Sequence, residues 1–308
     1  MSAGRFLHVN LNAVSAQATG AFLEGLLGLR ARMQTDASVP CDGEMLGLDG
    51  QILTDSRFYY GREGARNGCA LEVIEWRDPG LVRTSQPENQ ARLGIHAVAI
   101  AVTDFAAVFE ALRGHATDVA QEVHGLITEQ PAVLVRDPNG VVVEITQAPS
   151  GQGPTFGGIL LLASDLTATV DFLVALGFGV AEPTQSMHVG AERLSLRARA
   201  SPLSCRVARL ALPEDAARFS VRVVEVADVA LASAPASANT QGLYRCALRV
   251  EDVHAAVAAL PAAVEVAAGP IYCPLPGTTI GGLTIAFLRS PDGVVFEYVE
   301  RPALHFSR

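Results

Sequence analysis

Apolar residues recur along this chain in two alternating spacings. From Ile95 to Val102 small and branched apolar residues run without interruption, which predicts a strand, and from Phe105 to Leu112 apolar residues recur every three or four positions, which predicts a helix capped by Asp104. Short apolar runs follow, separated by a turn at 137–140, and the last run ends near 146. The segment therefore predicts the order βαβββ.

This pattern occurs four times. Similar strand openings begin near His8, His96, Gly158 and Arg245, and two units end alike, with Asp137-Pro-Asn-Gly before Glu144 and Ser290-Pro-Asp-Gly before Glu297. We assign the units to residues 1–78, 92–148, 155–230 and 241–302. Units one and three correspond, as do units two and four, so the chain is predicted to be a tandem duplication with halves at 1–150 and 151–308.

Composition narrows the class of protein. The 308 residues are 49% hydrophobic and 18% charged, as expected of a folded globular chain. A net charge of −9 argues against nucleic-acid binding, which favours a basic surface. The first residues lack the apolar run of a signal peptide, no apolar stretch is long enough for a membrane span, and the five cysteines have no metal-ligand spacing. We therefore expect a cytoplasmic protein.

Particular phrases give the repeat a family resemblance. The helices of units one and three end in Leu26-Leu-Gly-Leu29 and Ala175-Leu-Gly-Phe178, and Asp-Pro-Asn-Gly leads into Glu144. Together with four βαβββ units, these phrases resemble the vicinal oxygen chelate superfamily of glyoxalase I, bleomycin-resistance proteins and extradiol dioxygenases. The resemblance implies an α+β fold with two tandem glyoxalase-like half-barrel domains, an N-terminal one at 1–150 and a C-terminal one at 151–308. It does not define the reaction, because this fold supports several chemistries.

In that family the metal ligands come from the first and last strand of each unit. The corresponding positions here are His8, Glu72, Ala97 and Glu144 in the first half, and Gly158, Arg222, Arg245 and Glu297 in the second. The resemblance therefore implies a single divalent-metal site (Fe²⁺, Mn²⁺, Zn²⁺ or Ni²⁺) in the first half, held by His8, Glu72 and Glu144. The alternative is a metal-free hydrogen-bonded cluster of the same residues in a ligand pocket.

Other residues are candidates through their place on the strands. Because strand side chains alternate between faces, His8, Asn10 and Asn12 share one face, and Leu7, Val9 and Leu11 the other. We therefore expect Asn10 and Asn12 to bind substrate, and Tyr60 to orient a ligand or move a proton.

The second half contributes two arginines at ligand positions. Arg222 and Arg245 either form a closed ion-pair network with Glu297 or leave a guanidinium for a substrate carboxylate or phosphate. In either case the second half is predicted to lack a metal site.

The leading hypothesis is a small-molecule metalloenzyme acting on adjacent oxygens, with isomerase, epimerase, lyase or oxygenase chemistry. Ordinary extradiol cleavage is disfavoured, because Gly158 and Arg245 stand at its usual histidine positions. The alternative is a metal-free small-molecule binding protein of the bleomycin-resistance type. The expected partner is a small molecule, without nucleic acid or membrane, for a monomer or homodimer. Unit one could pair with unit two or with unit four, and in the second case His8 and Glu72 would face Arg245 and Glu297.

Overall fold

A computed structural model describes residues 2–84, 91–114, 121–195, 202–215, 218–227 and 229–302. The first module contains β1 (Phe6–Ala13), α1 (Ala16–Gly20) with a π-helical continuation (Ala21–Leu26), β2 (Arg30–Gln34), β3 (Cys41–Asp42), a 3₁₀ turn (Glu44–Leu46), β4 (Gln51–Tyr60), α2 (Gly64–Asn67) and β5 (Ala70–Asp78). The second contains β6 (Gly94–Val102), α3 (Phe105–Gly114), β7 (Gln121–His124), β8 (Pro131–Arg136) and β9 (Val142–Gln147).

The second half of the chain repeats the arrangement. The third module contains β10 (Thr155–Ala163), α4 (Leu166–Leu176), β11 (Gly179–Val189), a 3₁₀ turn (Ala191–Leu194), β12 (Leu203–Ala211) and β13 (Ser220–Val226). The fourth contains β14 (Gly242–Val250), α5 (Val253–Ala258), β15 (Glu265–Leu275), β16 (Gly281–Arg289) and β17 (Val295–Glu300). The predicted α+β fold of four βαβββ modules is confirmed. Among the described residues, no helix has the length and apolar character needed to cross a membrane.

The modules pair across the two halves of the chain. One sheet has the order β15-β16-β17-β14-β1-β5-β4-β2, and the other has the order β11-β12-β13-β10-β6-β9-β8-β7. Antiparallel pairing of β1 with β14 joins module one to module four, and pairing of β6 with β10 joins module two to module three. Of the two pairings that the sequence left open, the structure has the one in which module one meets module four. We call these sheets the 1–4 sheet and the 2–3 sheet.

The helices cover one face of each sheet and bury a common apolar core. Side chains from the first strands of all four modules lie in this core, including Val9, Ile100, Leu161 and Leu248. The helix starts follow the sequence signals: Asp104, for example, accepts a hydrogen bond from the Ala107 amide. The opposite, concave faces are thereby left for other contacts.

The alternation along β1 is broken near its start. The register with β14 shifts between Phe6 and His8, as at a β-bulge. As a result, Leu7 packs in the apolar cluster of the concave face, while Val9 lies in the helix-covered core. The expectation that Leu7 and Val9 share a face was therefore wrong. The shift lets Leu7 and His8 line the same side of the 1–4 sheet.

Candidate ligand site

Four charged or titratable side chains converge at the centre of the 1–4 sheet. They come from the first and last strands of modules one and four: His8, Glu72, Arg245 and Glu297. The Arg245 Nη2 donates to Glu72 Oε2 at 3.3 Å, and the Arg245 Nε lies 3.2 Å from Glu297 Oε2. The His8 Nε2 lies 3.3 Å from Glu72 Oε2 and 3.8 Å from Glu297 Oε2. We call these four residues the Arg245 cluster.

Burial controls the charges in this cluster. It raises the pKa of Glu72 to about 7, because attraction to Arg245 only partly offsets desolvation and Glu297 adds repulsion. Burial also raises the pKa of Glu297, again against the attraction of Arg245. Near neutral pH, Glu72 therefore exchanges a proton readily, as a general acid or base must.

The other two members of the cluster, His8 and Arg245, differ in their charge at neutral pH. Burial, reinforced by repulsion from Arg245, lowers the pKa of His8 to about 3, so its imidazole is neutral at physiological pH. Burial also disfavours the charged form of Arg245, but attraction to Glu72 and Glu297 outweighs it and raises the pKa of this guanidinium. Arg245 is thus a permanent cation at the centre of the cluster.

Two adjoining cavities open on either side of the cluster, and Glu72, Arg245 and Glu297 line both. The first, with about 710 Å³ of empty space, is otherwise mainly apolar, with walls that include Met45, Leu46, Ile52, Ile74, Trp76 and Phe287. The second, with about 650 Å³, includes Leu7, Met33, Phe58, Tyr60, Ile280 and Leu283. A polar centre between two apolar walls suits a largely apolar molecule with a central polar group.

Asn10 and Asn12 lie fully buried on β1 but differ in their contacts. The Asn12 amide donates to the carbonyls of Ala238 and Thr240 and accepts from Trp76 Nε1 at 2.8 Å, so it supports the cavity wall instead of lining the cavity. The Asn10 amide has no hydrogen-bond partner among the described residues, and its Cα pairs with that of Glu72 on the neighbouring strand.

Tyr60 lines the second cavity, and burial raises its pKa to about 12. Its phenol therefore stays protonated at neutral pH. The neighbouring Tyr59 is buried in the helix-covered core, so adjacent positions on β4 have different roles.

Glu144 does not lie with His8 and Glu72. It is on β9 of the 2–3 sheet, where its carboxylate accepts hydrogen bonds from the amides of Leu126, Ile127 and Thr128 and from the Thr128 hydroxyl, at 2.6–3.1 Å. The predicted three-residue ligand set therefore does not share one site, because module one pairs with module four. In the structure Glu144 holds a loop.

That loop fills the concave face of the 2–3 sheet. Leu126 and Ile127 join an apolar cluster with Ala97 and Leu160. At Gly158, the counterpart of His8, an added Cβ would lie 2.8 Å from Ile127 Cγ2 and 2.5 Å from the Ser220 carbonyl oxygen. The loop thus fills the face of the 2–3 sheet that corresponds to the face of the 1–4 sheet where the two cavities lie.

The two arginines named from the sequence lie in different sheets. Arg222, in the 2–3 sheet, is paired with Glu129 at 2.5 Å and with Glu182 at 3.1 Å. Arg245 is paired with Glu72 and Glu297 in the 1–4 sheet. Both arginines form ion-pair networks. Arg222 lies in the sheet whose concave face is filled by the loop, whereas Arg245 lines two cavities.

The donor set of the Arg245 cluster does not fit a divalent ion. A cation bound by His8, Glu72 and Glu297 would need the carboxylate oxygens that Arg245 already contacts, and it would lie beside a permanent positive charge. Among the described residues, no group of three His, Cys, Asp or Glu side chains is arranged to hold a metal. The guanidinium supplies the positive charge at this place.

The residues not foreseen as site members are Glu297, Trp76 and Phe287. The sequence had indicated Glu297 as a family ligand position and as a partner of the two arginines, but not as a member of the site. Strand alternation could have indicated Trp76, since it follows Glu72 and Ile74 on the same face of β5. Phe287 had no such signal, because its contact with Arg245 depends on module four lying beside module one.

The geometry defines a class of protein: paired βαβββ modules whose first and last strands direct polar side chains into a cavity. The family model described as "Glyoxalase/Bleomycin resistance protein/Dioxygenase superfamily" matches residues 5–145. The sequence match covers 141 of the 308 residues and lies in modules one and two, and modules three and four repeat the same βαβββ order. A comparison with curated proteins gave no match.

Solved structures support the fold over the whole chain. Glyoxalase I from Zea mays matches with a TM-score of 0.68 and 16% identity, over 99% of this chain and 94% of that protein. A protein from Bacillus subtilis subsp. subtilis str. 168, described provisionally as a dioxygenase, matches with a TM-score of 0.59 and 15% identity, over 99% of this chain and 88% of that one. At these identities the likeness establishes the architecture alone.

Proposed function

We propose that this chain is a metal-independent enzyme that moves a proton next to a carbonyl group in a largely apolar small molecule. The observation that carries the proposal is Glu72, a buried carboxyl with a pKa of about 7 that contacts Arg245 in the wall of both cavities. The match of residues 5–145 to a family model whose name includes glyoxalase and dioxygenase enzymes supports catalysis. We propose a substrate that carries a second oxygen next to the carbonyl group, as the family resemblance implied.

The proposed step uses two groups. Ionised Glu72 takes a proton from the carbon beside the carbonyl, and Arg245 stabilises the negative charge that develops on the carbonyl oxygen. Return of the proton from Glu72 to the same carbon gives racemisation. Its return to the former carbonyl carbon, while the proton of the adjacent hydroxyl moves to the enolate oxygen and that hydroxyl becomes the new carbonyl, gives isomerisation, and neither route needs another reactant. Glu297 holds the guanidinium in place, and Tyr60 is positioned to contact the bound molecule.

Exchange in heavy water tests this step. The probe is 2-hydroxyacetophenone, whose methylene protons lie between a carbonyl and a hydroxyl oxygen on an aromatic body. Proton NMR should show loss of the methylene signal catalysed by the wild type, abolished in Glu72→Gln and retained in Glu44→Gln. Glu44 is a matched control, because it receives the same chemical change at an exposed site.

A metal-free binding protein is the second candidate. The observation that favours it is that Arg245 is already paired with Glu72 and Glu297, as in a static polar lining. Binding of the same probe without catalysed exchange, and with equal affinity in wild type and Glu72→Gln, would refute the enzyme proposal and support this candidate.

Metal independence has its own test. Elemental analysis after incubation with Ni²⁺ or Zn²⁺ should find no stoichiometric metal in the wild type, but about one equivalent in Arg245→His, where an imidazole replaces the competing cation. The double variant Arg245→His/His8→Ala should bind no stoichiometric metal. Arg222→His, in the 2–3 sheet, should not bind metal either. Stoichiometric metal in the wild type, lost in His8→Ala, would contradict metal independence and restore the hypothesis of a metalloenzyme.

A further inference from the structure

The two cavities of the 1–4 sheet lie end to end along its strands. On β4, Ile52, Thr54 and Ser56 line the first cavity, whereas Phe58 and Tyr60 line the second. Because a strand rises about 3.3 Å per residue, the side chains from Thr54 to Tyr60 extend over roughly 20 Å. The cavities are therefore the two ends of one elongated groove.

A second wall of this groove, on β16 of module four, has the same order. Phe287 lines the first cavity, Leu283 lines the second, and Ile285, between them on the strand, lines both. Glu72 and Glu297 also line both cavities, so the carboxylates lie between the two ends. The groove is thus polar in its middle and mainly apolar toward each end.

The middle of the groove contains an unsatisfied hydrogen-bond donor. The Nη1 atom of Arg245 is buried and has no hydrogen-bond partner among the described residues. A buried N–H group without an acceptor is costly, so an oxygen atom of a bound molecule beside it would offset that cost. We therefore expect a ligand that carries its oxygen atoms at its centre and not at one end.

We propose that the substrate is an acyloin, an α-hydroxy ketone, with two apolar arms. Its carbonyl and hydroxyl oxygens would lie at the Arg245 cluster, and its two substituents would occupy one cavity each. This inference rests on the proposed function, which places a carbonyl group beside Arg245 and a second oxygen next to it. Asp36 and Asp42 also line the first cavity, and their carboxylates repel an anionic arm, so the arm bound there is uncharged.

Calorimetric titration of the wild type compares two probes that differ by one arm. Benzoin carries a phenyl ring on each side of its hydroxy ketone, whereas 2-hydroxyacetophenone carries a single ring. Because the second ring would be buried in the other cavity, benzoin should bind about tenfold or more tightly than 2-hydroxyacetophenone. Equal or weaker binding of benzoin would overturn the inference, and this comparison needs no variant.

An isomer of benzoin controls for total apolar area. 2-Hydroxy-1-(biphenyl-4-yl)ethanone has the same atoms, but both of its rings are on the same arm. If the two cavities each take one arm, this isomer should bind less tightly than benzoin. An isomer that binds as tightly as benzoin would also overturn the inference.

Two variants each close one end of the groove. Thr54→Trp places a large ring in the first cavity and Leu283→Trp places one in the second, at partly buried sites. In each variant 2-hydroxyacetophenone can still bind through the open cavity, so its binding also reports an intact site. The preference for benzoin should fall to near one in both variants and stay unchanged in Val174→Trp, a matched control at an exposed site on α4. A cavity variant that keeps the wild-type preference would contradict the two-armed arrangement.

Exchange in heavy water separates this inference from the proposed reaction. Ionised Glu72 would take the proton from the hydroxyl-bearing carbon of benzoin and return a deuteron from solvent, so the methine signal should be lost in proton NMR. Preferred binding of benzoin without exchange of either probe would refute the proton transfer and support the two-armed ligand class. Exchange of 2-hydroxyacetophenone without preferred binding of benzoin would support the proton transfer and overturn the two-armed class.

Discussion

Glu144 provides the sharpest test of how the modules pair. A metal-site interpretation makes Glu144 a ligand beside His8 and Glu72, whereas the structure makes it the support of a loop in the other sheet. Its carboxylate accepts four hydrogen bonds, three of them from backbone amides of residues 126–128. Substitution of Glu144 should therefore reduce stability and leave the Arg245 cluster unchanged.

The magnitude follows from those four bonds. Hydrogen bonds to a charged group contribute roughly 1.5–3 kcal/mol each, and a buried amide left without a partner costs roughly 1–3 kcal/mol. Water can enter the space left by truncation and recover part of this loss. We expect Glu144→Ala to lower the free energy of unfolding by about 4 kcal/mol, and Glu144→Gln, which keeps one acceptor oxygen, by about 2 kcal/mol.

Urea titration measures this change by two signals. Far-ultraviolet circular dichroism reports both sheets, and fluorescence of Trp76, the only tryptophan, reports the 1–4 sheet. Glu122→Ala, at an exposed site on β7 of the same module, is the control and should change stability by less than about 0.5 kcal/mol. A loss below about 1 kcal/mol for Glu144→Ala would refute the reasoning.

Three other predictions concern the interior of the fold. Asn12→Ala should lower the free energy of unfolding by about 2–3 kcal/mol, because it removes three buried hydrogen bonds. Urea titration followed by Trp76 fluorescence measures this loss, and unchanged stability would contradict the assigned contacts. His96 has a folded pKa of about 4, below its ordinary value of 6.5, so its contribution to stability is complete above pH 6.5 and is lost as the pH falls through 4. In urea titrations across that range His96→Gln should therefore lose less stability than the wild type, and equal losses would count against a neutral His96. The exchange rate of 2-hydroxyacetophenone should rise with pH and level off above about 7, where Glu72 is ionised, and a rate independent of pH would exclude Glu72 as the base.

The order of strands and helices within each module was predictable because its signals are local. Strand and helix spacing, the cap at Asp104 and the turn before Glu144 each depend on a few consecutive residues, and the structure places elements where these signals predicted them. The bulge near His8 was not predictable in this way. Its register depends on β14, more than two hundred residues away in the chain.

Module pairing is a long-range property, and it changes the composition of the site. Only residues 148–154 separate β9 from β10, so modules two and three are close in sequence and pair with little loss of chain entropy. The connections at 79–93 and 227–241 are longer and allow module one to meet module four. Glu72 is consequently paired with Arg245 in the 1–4 sheet. Glu144 lies in the 2–3 sheet and not beside Glu72, where the family resemblance had placed it.

The sequence by itself determined the four βαβββ modules and the side chains that stand on their first and last strands. Those features follow from periodicity and turn chemistry, which act over short distances. The tertiary structure alone decided which of those positions meet, because every module offers a similar strand edge for pairing. It also decided that Arg245 supplies the cation at the centre of the site, since burial among Glu72, Glu297 and His8 exists only in the folded chain.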